Sequence, residues 1–87
     1  MPRTDLARPT VHLNGTSRDE LRRAYENASQ AVFRALDAVA QASPNGRDYY
    51  PQGPDAIITA GKQHRERTKK LHEVLEELQA IEEGLLA

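Results

Sequence analysis

The sequence predicts an all-α protein: an antiparallel two-helix hairpin with an extended N-terminal arm, pairing into a homo-oligomeric helical bundle. Three observations lead there. Two long stretches carry apolar residues at alternating steps of three and four, the mark of a helical seam with a period near 3.5 residues. A polar segment rich in turn-forming Pro, Asn and Gly separates them. Finally, a chain of 87 residues is short. At this size folding buries only roughly 60% of the unfolded surface, and two helices alone cannot cover two wide apolar stripes, so a second copy is expected.

The elements follow in order. Residues 1–16 read as the arm: Pro2 and Pro9 break any helix, and Pro9-Thr10-Val11-His12-Leu13 alternates apolar and polar side chains, an extended strip whose Val11 and Leu13 can dock on one surface. Asn14-Gly15 reads as a turn, because both residues tolerate positive φ. The hairpin takes residues 17–87, with the first helix over 17–42. Ser17 and Glu20 fit a capping box, and Asp19 and Glu20 complement the positive helix end. Leu21, Tyr25, Ala28, Val32, Ala35, Val39 and Ala42 form its seam, widened by Phe33 and Leu36. The loop covers 43–53. The second helix covers 54–86, with Pro54 at the first helical position, where its missing N–H is no loss. Its seam reads Ile57, Ala60, His64, Arg67, Leu71, Val74, Leu78, Ile81 and Leu85, broadened by Leu75. Gly61 within it marks a bend or a close helix contact.

Charge order favours the hairpin. Lys62, Arg65, Arg67, Lys69 and Lys70 crowd the first half of helix two, and Glu73, Glu76, Glu77, Glu82 and Glu83 fill the second. Acidic residues near a helix C-terminus oppose the dipole. Folding back brings them beside Arg18, Arg22 and Arg23, and an antiparallel second copy would pair the halves as well. Such exposed pairs select orientation more than they stabilise.

Composition excludes several function classes. With no cysteine, disulfides, Cys-ligated zinc and thiol nucleophiles drop out. Twelve basic and thirteen acidic residues leave a net charge of −1, which argues against nucleic acid as a partner. No apolar run approaches the ~20 residues of a membrane span, and residues 1–20 lack the apolar core of a signal peptide. His64 and His72 lie about 12 Å apart along one helix, too far to share a metal. There is no Gly-x-Ser-x-Gly elbow, and Glu76/Glu77 and Glu82/Glu83 point in different directions on a helix. The expectation is therefore a protein without metal, cofactor or catalysis.

The loop holds the candidate site. Arg47, Tyr49 and Tyr50 combine a guanidinium fork with two rings, chemistry that suits a phosphate plus a base, or a protein hot spot. Arg34, Lys62, His64 and Arg65 extend the positive field towards that end. The plainer reading is that both tyrosines cap the open end of the bundle and that His64 is a packed histidine.

Two phrases carry a resemblance: His12-Leu13-Asn14-Gly15-Thr16-Ser17, and Asn45-Gly46-Arg47-Asp48-Tyr49-Tyr50-Pro51-Gln52-Gly53. With the stretch from His64 to Arg67 they resemble a group of small, helical, phage- and prophage-encoded proteins of unassigned function, over residues 11–87. The resemblance implies an accessory phage protein made in the host bacterial cytoplasm, working by binding a host or phage protein, as an inhibitor of a host defence system for example. Two alternatives accompany it: a sponge for a small nucleotide signal, held by Arg47, Tyr49, Tyr50 and Lys62 or Arg65, and a virion component whose arm laces neighbouring subunits.

Overall fold

The computed structural model describes residues 5–86. Their regular structure is all helical, with no strand among them: α1 (Arg18–Gln41), two single 3-10 turns at Gly46–Asp48 and Tyr50–Gln52, and α2 (Ala56–Leu86). Ser17 starts α1 from an extended backbone (φ −63°, ψ 155°), and its hydroxyl accepts the Glu20 amide at 3.2 Å. That bond satisfies one of the donors a helix start leaves open. At the far end the ladder tightens to three-residue spacing, with the Ala42 amide on the Val39 carbonyl and the Ser43 amide on the Ala40 carbonyl. Pro44 follows, and the residue before a proline is pushed out of the helical region.

The connection is compact. The Asn45 side chain caps the first 3-10 turn by accepting the Arg47 amide at 3.0 Å, and the Asp48 and Tyr49 amides close it on the Asn45 and Gly46 carbonyls. The Gln52 amide then bonds the Tyr49 carbonyl, and the Gly53 amide the Tyr50 carbonyl, to close the second. Gly53 turns the chain into α2 at φ 113°, ψ 165°, a region that side-chain-bearing residues rarely enter. The start of α2 needs correcting. Pro54 lies in a turn closed by the Ala56 amide on the Gly53 carbonyl, and the first α-helical bond runs from the Thr59 amide to the Asp55 carbonyl. Helix two therefore begins at Ala56, with Pro54 outside it.

α1 and α2 pack side by side and antiparallel, tied at both ends. At the loop end Ser43 Oγ and His64 Nε2 are 3.2 Å apart. At the other end the arm passes the last turns of α2: a Cβ on Gly84 would stand 3.6 Å from the Arg8 Cδ. Leu21, Tyr25, Ala28, Val32, Ala35 and Val39 are half-buried along α1, as their spacing predicts; Ala42 is exposed beyond its end. The α2 seam shifts phase. Thr68 and Leu75 take the inward positions, while Arg67 and Val74 are exposed. A straight helix advances by four residues at 64→68 and 71→75 to hold its phase. The hydroxyl of Thr68 can sit on the seam because it donates to the His64 carbonyl at 3.0 Å. Gly61 is not a point of close helix approach either: a Cβ there would meet only its own helix's Arg65 Nη1, at 3.5 Å.

In the arm, Leu6 and Pro9 are half-buried. Val11 and Leu13 do not dock as a pair; Val11 is 38% and Leu13 98% exposed. Leu13 occupies the tip of a turn that the Gly15 amide closes on the His12 carbonyl at 3.1 Å. Neither Asn14 nor Gly15 has a positive φ there, so the turn is an ordinary one with Gly at its fourth position.

The core is thin. Leu75 and Leu85 are the buried apolar residues of the described chain. The molecule measures 61 × 23 × 17 Å, with a radius of gyration of 18.2 Å, against about 12 Å for a compact chain of this length.

Candidate functional site

A cleft of about 370 Å³ opens where the loop folds back on the first three turns of α2. Ala42 and Pro44 form one wall at the end of α1. The other wall is one face of α2, where Ala56, Ala60, Gln63 and Arg67 recur at steps of four, three and four. Tyr49 and Gln52 lean in from the loop, and Thr59 and His64 complete the lining. No carboxylate side chain contributes among the described residues. Tyr49 is held by its turn: its amide bonds the Gly46 carbonyl at 3.0 Å and its carbonyl takes the Gln52 amide at 2.9 Å.

His64 fixes the floor of this end. The Ser43 hydroxyl lies 2.7 Å from the Ala40 carbonyl, which can only accept, so its single proton goes there. The same oxygen must then accept from His64 Nε2–H. The bond direction assigns the ring tautomer, and Nδ1 makes no hydrogen bond to a described residue. Ser43 and His64 have the atoms of a nucleophile and its base. Their hydrogen bond runs the other way from the one acyl transfer needs, where the imidazole takes the hydroxyl proton. What the pair does here is clamp the end of α1 to α2.

The six residues singled out from the sequence do not converge. Tyr49 lines the cleft. Arg47 and Tyr50 stand outside it on the loop, Tyr50 with 74% of its surface exposed. Arg34, Lys62 and Arg65 are exposed on the helices and do not line it. The guanidinium of Arg65 lies back over Gly61 of its own helix. Of the polar lining residues, Gln52, Thr59 and Gln63 went unassigned, Arg67 was counted on the helix seam, and His64 was given both to packing and to the positive field of the loop end. A signal for them exists in the sequence. Ala56, Ala60, Gln63 and Arg67 share one flank, and Pro44 and Tyr49 are the bulky residues a tight return would bring against it.

Among the described residues no three of His, Asp or Glu gather as metal ligands. None of the described helices is long and apolar enough to cross a membrane. Comparison with protein-family models, with curated proteins and with solved structures finds no match.

Proposed function

We propose that this chain is a non-enzymatic, self-associating helical hairpin that acts by binding another protein. One observation carries the reading: the apolar surface left uncovered by so thin a core. Phe33 is 49% exposed, Ile58 66%, Val74 43% and Leu86 59%, while Leu75 and Leu85 alone are buried among the apolar side chains described. The accessible surface is 6753 Å², against about 5,100 Å² for a compact monomer of this mass. A stable interface removes about 800 Å² from each partner, so one further copy fits within the excess. Ala24, Ala31 and Ala38 recur every seven residues on exposed positions of α1, where small side chains let a neighbouring helix come close.

The resemblance of the His12–Ser17 and Asn45–Gly53 phrases supports a phage context, with a host or phage protein as partner and inhibition of a host defence system as its concrete form. Light scattering tests the foundation. The expected mass is a multiple of the 9.7 kDa chain, falling to one chain for the double variant Phe33→Asp, Ile58→Asp with helicity retained. A monomeric parent protein would overturn self-association. Alanine at Arg47 and Tyr50, the exposed loop pair, is expected to abolish partner capture without moving the helical circular dichroism signal.

The small-nucleotide sponge is a second reading, favoured by one observation: Tyr49 lines a cleft at the loop end.

A further inference from the structure

We propose that the loop-end cleft binds a small phosphate monoester carrying a flat ring, a nucleoside monophosphate by size, with Arg67 on the phosphate and Tyr49 against the ring. This deepens the nucleotide reading and relocates it. The anion is held inside the cleft by Arg67, not on the loop surface by Arg47 or along α2 by Lys62 and Arg65.

Volume and chemistry lead to this class of ligand. Small-molecule sites run from about 300 to 1,000 Å³, and the cleft, at about 370 Å³, falls at the mononucleotide end of that range. The chain carries thirteen acidic residues against twelve basic, yet no carboxylate side chain lines the cleft among the described residues, whereas Arg67 does. A cation therefore finds no counter-charge there. A purely apolar ligand would strand the hydrogen-bonding groups of Gln52, Thr59 and Gln63. An anion meets a complementary wall. The Arg67 guanidinium makes no hydrogen bond or ion pair with any described residue, so its planar fork of donors is open to two phosphate oxygens at once. His64, donating Nε2–H to Ser43, leaves Nδ1 as an acceptor, suited to a sugar hydroxyl or a base N–H and not to the phosphate. Tyr49, half-buried, lines the cleft with its backbone held by the two 3-10 turns, and its ring supplies a surface for stacking. The amides of Gln52 and Gln63 each present a donor and an acceptor suited to the edge of a base.

Calorimetry on the full chain tests it, with adenosine 5′-monophosphate, adenosine and inorganic phosphate as probes. The monophosphate is expected to bind, with adenosine and phosphate each at least ten-fold weaker. Arg67→Ala and Tyr49→Ala are each expected to weaken it about ten-fold or more, and Arg47→Ala less than two-fold, with circular dichroism confirming that every variant is folded. Absence of heat with the monophosphate would overturn both this site and the nucleotide reading. Binding that survives Arg67→Ala but is lost in Arg47→Ala would overturn the cleft assignment alone, leaving the nucleotide on the loop surface. Equal binding of adenosine would remove the phosphate from the proposal and overturn it.

Discussion

Gly53 and Gly61 are the same residue type under opposite constraints. At φ 113° and ψ 165°, Gly53 occupies backbone space that a Cβ makes costly even though nothing crowds it. Gly53→Ala is therefore expected to cost about 1–3 kcal/mol in urea unfolding. Gly61 is helical, and its substituent would meet only the mobile tip of Arg65. Gly61→Ala should stabilise by about 0.5–1 kcal/mol, chiefly by restricting the unfolded chain. Removing the hydroxyl at Ser43 takes a donor from the Ala40 carbonyl and an acceptor from His64 at once. Ser43→Ala is expected to cost about 0.5–1.5 kcal/mol, and nitrogen NMR of the ring should show His64 released from a single tautomer. The sequence marked Gly61 by its place inside a helix and Gly53 only as half of the Pro51/Gly53 turn signal, one of several in that segment, with nothing to single it out as the positive-φ position. Backbone sign is decided there by two consecutive 3-10 turns, whose closing bonds have no pattern of their own.

Among the elements, α1 was the more legible. Ser17, Glu20 and the regular steps from Leu21 to Val39 mark both its start and its inward face, and the structure keeps them within a residue. In α2 two apolarity cues misled. Val74 looks like a seam residue and Thr68 does not, but Leu75 sits at 5% exposure while Val74 sits at 43%. Truncation separates the two: Leu75→Ala should cost about 2–4 kcal/mol, as a buried leucine does, and Val74→Ala under about 1 kcal/mol in the isolated chain. Equal costs would restore the expected phase. The same shift explains the candidate site. Counting Arg67 on the seam hid it from the cleft, and counting His64 as packing was half right, since it packs through one nitrogen and lines the cleft as well. Tyr49 was found because an aromatic ring in a polar loop has few places to go.

For the whole molecule, length and breadth carry the argument. An extent of 61 Å by 23 Å by 17 Å gives two buried leucines little company. If copies associate through Phe33 and Ile58, the thermal midpoint should rise with protein concentration, as mass action requires. In the Phe33→Asp, Ile58→Asp double variant that dependence should vanish. Calorimetric scans over a hundred-fold concentration range would show either result. The hairpin and its direction were legible from two seams and one loop. How far the arm would travel was not, because Leu6 and Pro9 engage while Val11 stays exposed and Leu13 points outward at the tip of a turn.

Arg8 beside Gly84 gives the rod two unlike poles. The arm and the last turns of α2 share one, and the cleft opens near the other, roughly 30 Å away by the rise from Gln63 to Gly84 along α2. Tethering through the arm or through the tail of α2 would therefore present the same pole to the surroundings. A dye, bead or sensor surface attached on that side leaves the mouth of the cleft clear.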